Sequence, residues 1–308
     1  MNWFWVSIAA YLLLAFASLT DKFLLNRIKN SWSYTVFVCL AGGVVALAGP
    51  WALHWPGWLG LATDVAVATT FIAALFFLYE ALSQGEASRI LVFIGSTIPL
   101  FSLIFSLILG EKFQNTQLVG LALLIAGAFL IAAIKPEHNF FQRFLGRLNV
   151  QKGGRPIFYA VLSALAYSLY FLSSKSVYVS QGFLSGFVWI RIMVVAIIAL
   201  TFVFPLLRHK VQEDVRRMKG SSGNNPYLML FNQGVGAAGF ILQNWAISLG
   251  TVAVVNALQG VQYGFLIISA SLLSRLYPSV FPTSSSIVSW SKKAVAIVLI
   301  SLGLYFIY

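Results

Sequence analysis

The chain reads as a succession of apolar stretches about 20 residues long, each closed by a charge, a proline, a glycine or a tryptophan. A helix of that length crosses the hydrocarbon layer once. The pattern predicts ten spans, over 3–25, 33–53, 61–83, 88–109, 116–134, 156–178, 183–207, 227–248, 251–274 and 288–307. In the ninth, the apolar run is broken by Asn256, Gln259, Gln262 and Tyr263. Their spacing of i, i+3, i+6 and i+7 puts all four on one face of a helix. Lipid gives such a face no hydrogen-bond partners, so the stripe is expected to line a protein interior or a wet cavity.

The spans also repeat. Ala81, Gly85, Gly95, Ser106 and Leu107 recur 165 positions later as Ala246, Gly250, Gly260, Ser271 and Leu272. The first spans of the two halves align through Leu19-Thr-Asp-Lys22 and Leu172-Ser-Ser-Lys175. The expected organisation is a five-helix repeat over 1–134, a basic connection over 135–155 and a second five-helix repeat over 156–308. Five is an odd number, so the halves must enter the membrane in opposite senses. The fold class expected is therefore an all-α integral membrane protein of ten transmembrane helices arranged as two inverted five-helix repeats. Proteins of that plan hold substrate near the midplane, between the repeats.

Composition agrees with a membrane solvent. Apolar residues make up 59% of the chain and charged residues only 9%, against roughly 25% charged in a soluble domain. The net charge of +12 does not point to nucleic acid, because its carriers gather in loops between spans. Thirteen Lys and Arg lie in the loops on one side, sixteen with Arg89, Lys292 and Lys293 at the adjoining span ends, and only Lys112 lies on the other. The positive-inside rule then places the basic side in the cytoplasm and both termini outside; the membrane expected is a bacterial inner membrane. Trp3, Trp5, Trp51, Trp55 and Trp58 sit near span ends, as interfacial aromatics do. The first apolar run has no basic leader or small-residue cleavage site before it, so it reads as a retained helix. The single Cys39 excludes an intrachain disulfide.

Local motifs carry a family resemblance. The run Tyr79-Glu-Ala-Leu-Ser-Gln-Gly-Glu-Ala-Ser-Arg89 is followed by Pro99, then by Leu109-Gly-Glu-Lys112, then by Gly120 and Gly127. In this the chain resembles the drug/metabolite transporter superfamily, in its EamA-like ten-helix branch. There the third helix ends in an alanine-leucine pair, the fourth carries a central proline and a glycine-glutamate pair closes it. Ala246 to Gly250 and Gly303 keep the pattern in the second half, but Ser274-Arg-Leu-Tyr-Pro278 stands where the glycine-glutamate pair would be. The resemblance implies export or exchange of small metabolites. It also implies cytoplasmic termini in many members, against the charge count here.

Several polar residues lie within the spans. Asn256, Gln259, Gln262 and Tyr263 offer donors and acceptors to a polar solute without the cost of a fixed charge, or serve as glue between helices. Arg191, mid-span, is either a clamp for a carboxylate or phosphate or one partner of a structural ion pair. Asn232 and Gln233 add cavity candidates one span earlier, whereas Gln243 and Asn244 read as helix-terminal. Glu80 is a candidate proton-coupling carboxylate that could equally pair with Arg191 or Lys175. Asp21 and Lys22 could gate the first span or neutralise each other, and Lys175 could gate or snorkel to the surface. Gly95 and Pro99 in span four, with Gly260 and Gly264 in the matching places of span nine, are hinge candidates or packing sites.

No enzyme signature emerges. His54, His138 and His209 lack metal-ligand spacing, and no Walker motif is present, so neither cofactor nor metal is expected. The expected function is a secondary carrier of a small polar or amphipathic, amino-acid-like metabolite. It would work by alternating access, as an exporter, with the proton as candidate coupling ion and a monomer or homodimer as assembly. Positions matching Asn256, Gln259 and Gln262 in span four are Leu91, Ile94 and Thr97, so one wall is expected polar and the other apolar. The rival expectations are a lipophilic-cation exporter, which needs a carboxylate in the cavity, and a non-transporting membrane enzyme or scaffold.

Overall fold

A computed structural model describes residues 2–24, 30–84, 87–133, 154–219, 226–273 and 287–307, all of whose regular structure is helical. Helix α1 covers Asn2–Leu24. Next come α2 (Ser31–Gly42), a 3₁₀ segment (Gly43–Ala48) and the single turn α3 (Gly49–Ala52), which continue one another as one apolar rod. Then follow α4 (Gly57–Gln84), α5 (Ala87–Ile108) and α6 (Asn115–Ala133). The second half holds α7 (Gly154–Gln181), α8 (Phe183–Thr201), α9 (Pro205–Lys219) and α10 (Pro226–Leu249). It ends in α11 (Val252–Ala257), α12 (Gln259–Leu273) and α13 (Ile287–Ile307).

Five of these segments, 31–52, 57–84, 90–108, 154–181 and 183–201, are long and apolar enough to cross a membrane, and shorter apolar helices join them. The protein is thus an all-helical integral membrane protein. Two differences from the sequence pattern matter. The region after 201 is not all connection: α9 is a separate helix rich in Arg and Lys that buries Val211 and Asp214. Its Lys210 carbonyl accepts from Ser33 Oγ on α2, which pins this amphipathic helix to the basic end of the bundle. The apolar run 251–274 is not one helix either, for it is interrupted at Leu258.

The principal packing partners are distant in sequence: α4 lies along α7, α1 along α10, and α6 along α13. Small residues permit the last of these. A Cβ on Gly120 would sit 2.9 Å from the Gly303 carbonyl, and one on Gly303 at 2.9 Å from the Gly120 carbonyl. The two backbones touch there because neither carries a side chain. Buried apolar side chains form two clusters. One gathers Phe71, Tyr170, Phe187, Ile190 and Ile247, and the other gathers Tyr11, Leu121, Leu124, Leu258 and Ile300. Trp5, Trp51, Trp55 and Trp58 are exposed at the end opposite α9.

Candidate functional site

A belt of polar groups joins the two apolar clusters. It begins at Arg191, which is 3% exposed at the middle of α8. The guanidinium lies over the rings of Phe71, Phe240 and Phe187, at 4.2, 4.8 and 5.0 Å from their centroids. Such contacts stabilise a desolvated cation by about 2 kcal/mol. One of its nitrogens, Nη2, donates to the Tyr170 hydroxyl at 3.1 Å. Among the described residues no carboxylate is within ion-pair distance, so the structural pair with an acid is not made. A guanidinium has five N–H donors, and here one hydroxyl takes the hydrogen bond shown.

The belt continues through the amides near the end of α10. Tyr170 and Tyr178 both donate to Asn244 Oδ1, at 3.0 and 2.9 Å, and Asn244 Nδ2 donates to the Phe240 carbonyl. The preceding residue points elsewhere: Gln243 Nε2 donates to Tyr11 Oη at 3.3 Å, and Tyr11 donates to the Val255 carbonyl at 2.9 Å. Val255 lies in the last turn before the break at Leu258, so this hydroxyl supplies a partner where the helix ladder is interrupted. Next to it, Asn256 Nδ2 donates to Ser102 Oγ on α5 at 2.9 Å, while Asn256 Oδ1 is buried with no partner. Helices α8, α7, α10, α1, α11 and α5 are thereby linked in order.

The stripe expected on span nine is divided by this break. Asn256, Gln259 and Tyr263 face α5, whereas Gln262 Nε2 reaches Ser18 Oγ on α1 at 3.4 Å and leaves its Oε1 buried without a partner. Tyr263 Oη approaches the Leu91 carbonyl at 3.4 Å. A Cβ on Gly95 would collide with that Tyr263 hydroxyl and come 2.7 Å from Gln259 Nε2. A side chain at Gly95 would thus force Tyr263 and Gln259 to shift, whatever hinge role the glycine has. Gly260 and Gly264 have ordinary room for a Cβ, at 3.5 and 4.0 Å from Ile300, and Pro99 is buried inside a continuous α5. Of the matching positions on α5, Ile94 and Thr97 are buried but Leu91 is 45% exposed, so the apolar wall is not one continuous face.

The remaining candidates lie apart from the belt. Asn232 is buried and Gln233 exposed, so these neighbours on α10 meet different surroundings. Glu80 accepts from Gln84 Nε2 at 2.8 Å near the basic end of α4, away from both Arg191 and Lys175. Lys175 donates to the Ser248 and Gly250 carbonyls at 2.8 and 3.1 Å. It caps the C-terminal end of α10, where a cation suits the helix dipole. Asp21 and Lys22 belong to α1, but their side chains lie outside the described residues.

The sequence pattern did not single out Tyr11, Tyr170 or Tyr178, and in it Gln243 and Asn244 read as helix-terminal. It also passed over Asp64, which is fully buried on α4 and accepts from Gln181 Nε2 at 3.0 and 3.2 Å. A lone acid inside an apolar run was the signal available. No group of three or more His, Cys, Asp or Glu able to hold a metal occurs among the described residues.

Comparisons with known proteins agree with this architecture. The model of the EamA-like transporter family matches residues 1–133. The chain is 30% identical over 141 residues to an uncharacterized transporter from the cobO 3′ region of Sinorhizobium sp., an alignment covering 42% of this chain and 94% of the relative. The chain is a membrane transporter, and it belongs to the EamA-like family, within the drug/metabolite transporter superfamily. Its fold is similar to a solved crystal structure with a TM-score of 0.64, at 16% identity, over 99% of this chain and 96% of the other.

Proposed function

We propose that the protein is a ten-helix carrier of two inverted five-helix repeats. It exports a small amphipathic metabolite bearing a carboxylate, amino-acid-like in character, by alternating access. The observation that carries this reading is Arg191, a guanidinium sunk in the bundle, walled by Phe71, Phe187 and Phe240 and bonded to Tyr170. Removing a cation from water with no counter-ion costs several kcal/mol. A planar guanidinium is suited to accept a carboxylate through two parallel hydrogen bonds, and an anion delivered by the substrate would offset that cost. The rings around it suit the apolar part of the same solute.

Other features support the rest of the reading. The third span of each half packs along the first span of the other, α4 on α7 and α10 on α1, which is the exchange that a two-fold relation between opposed repeats produces. The belt holds donors at Arg191 and unpartnered acceptors at Asn256 Oδ1 and Gln262 Oε1, so it offers both signs of hydrogen-bonding group to a zwitterion. Arg191 and Asn256 are buried in this conformation, and loading from either side requires the packed halves to part, as alternating access does. The charge distribution puts the α9 end in the cytoplasm and the Trp-bearing end, with the termini, outside.

The test is a thermal-shift screen of the purified protein against amino acids, nucleobases, sugars, sugar phosphates and lipophilic cations. Selective stabilisation by an apolar amino acid such as leucine or phenylalanine, lost in Arg191→Leu or Gln259→Leu, is expected. Stabilisation by cations alone, dependent on Glu80, would move the assignment to a multidrug exporter.

A further inference from the structure

Outside the belt, two acids are buried among the described residues, Asp214 on the amphipathic α9 and Asp64 within the apolar length of α4, and the setting of Asp64 is one that the transport reading does not use. Asp64 lies on α4 two turns before Phe71 and on the same face, roughly 10 Å along the helix by its rise. Its carboxylate is fully buried, and both oxygens accept from Gln181 Nε2, the last residue of α7. The other atom of that amide, Gln181 Oε1, is buried and has no partner. Gln181 also lines a pocket of about 470 Å³ formed by His54, Trp55, Leu59, Thr63 and Ser185 at the Trp-bearing end. The amide is therefore the partition between a solvent-side pocket and a buried carboxylate.

We propose that Asp64 is the proton-carrying carboxylate of this transporter, loaded from the His54–Trp55 pocket through Gln181. The two ends of the Gln181 amide serve the two states of the acid. A charged carboxylate accepts from Nε2, as the structure has it. A protonated carboxyl carries its own O–H donor, and Gln181 Oε1, buried and unpartnered, is the acceptor for it once the amide turns over. A proton needs no more than these groups supply, one carboxylate oxygen to hold it and the amide oxygen to accept from it.

Among the described residues no cation makes an ion pair with Asp64, whose carboxylate accepts from Gln181. The 53–56 segment contributes His54, whose backbone N–H and carbonyl are tied to Ser185 and whose carbonyl also accepts from Trp189. From α7 comes Lys175, already engaged by the Ser248 and Gly250 carbonyls. Helices α2 and α3 and the outer half of α5 contain no charged residue, and the charge of α8, Arg191, is held deeper by Tyr170. A route to the substrate site exists along α4 and α7. Tyr178, one turn below Gln181, donates to Asn244, and Tyr170 packs on Phe71 with centroids 5.0 Å apart. A change of partner at Gln181 is thus made on α7, the helix whose Tyr170 accepts from Arg191.

The inference rests on the transporter reading but not on the choice of Arg191 as anion clamp, and two measurements keep them separable. The first is pH-difference infrared spectroscopy of the purified full-length protein in lipid. A protonated carboxyl C=O band is expected to appear as pH falls, to vanish in Asp64→Asn and to persist in Glu80→Gln. Gln181→Met, which keeps the acid but removes its partner, is expected to displace the titration of that band and covers the case in which Asp64→Asn fails to fold. The second is flux of radiolabelled leucine in proteoliposomes. Asp64→Asn is expected to lose transport driven by a pH gradient while keeping leucine–leucine exchange. A band unchanged in Asp64→Asn, or gradient-driven flux undiminished in that variant, overturns the proposal. Wild-type vesicles that move no leucine yet show the Asp64 band would overturn the substrate reading alone.

Discussion

The two polar regions of the bundle differ in what they do with their hydrogen-bonding capacity. Around Arg191 a single charge meets three aromatic rings and one hydroxyl, and no acid among the described residues balances it. Along α11 and α12 three amides are each turned to a neighbouring helix: Asn256 to Ser102, Gln262 to Ser18, and Gln259 to the space over Gly95. Contacts of the second kind are worth about 0.6 kcal/mol each in membrane bundles and can be made by any sequence that needs its helices joined. A charge without a counter-ion is different, since it lowers stability in the empty protein and is retained for something that binds it. By that measure Arg191 marks the site, and the stripe, richer in polar atoms, is partly fastening.

The largest expected effect that separates the regions is at Arg191. Arg191→Leu should abolish stabilisation by leucine or phenylalanine while leaving the unliganded protein at least as stable as before, because a buried cation with no counter-ion is removed. A fall in Tm of the unliganded variant would instead make Arg191 a structural residue. Next is Gly95→Val, whose side chain would push Tyr263 and Gln259 off α5. Overpacking of this kind costs about 1–3 kcal/mol, and thermal unfolding of the reconstituted variant would show it, with Gly264→Ala as the tolerated control. Tyr170→Phe removes one bond to Arg191 and one to Asn244, a loss of about 1 kcal/mol each. It should weaken amino-acid binding severalfold in a titration without preventing folding.

Asn256→Leu sharpens the comparison from the other side. It should change stability by under about 1 kcal/mol, and a ligand response unaltered in this variant would reduce the stripe to fastening altogether. The smallest effect is expected for Glu80→Gln. Its carboxylate is bonded to Gln84 at the basic end, so leucine binding and flux should be those of the wild type.

Much of this was legible along the chain because the bilayer imposes a one-dimensional rule. A backbone with no water must bond to itself, so span length and apolarity translate directly into helices, and α4, α6 and α13 end within a few residues of the expected limits. Arg191 was legible for the same reason, as a charge where none is inexpensive. The aromatic walls of its pocket were not. Phe71, Phe187 and Phe240 come from three helices, and nothing in the spacing of a membrane phenylalanine tells whether it meets lipid or a guanidinium.

The break at Leu258 shows where the sequence stops deciding. Helix α5 carries Pro99 and is continuous, whereas the run from Val252 to Leu273 has no proline and is interrupted. Local preference favoured the opposite outcome. What differs is the tertiary partner: Tyr11, brought in by the packing of α1, donates to the Val255 carbonyl and makes the interruption affordable in a medium that offers no other donor. The same holds for Lys175, a gate or a snorkelling cation by its sequence until the end of α10 is placed beside it, and for Asp64, a lone letter until α7 sets Gln181 against it. The sequence alone determined which segments are helices in a membrane and which charges lie within them. The tertiary structure decided which of those polar groups spend their hydrogen bonds on one another and which keep them, because that depends on partners far away along the chain.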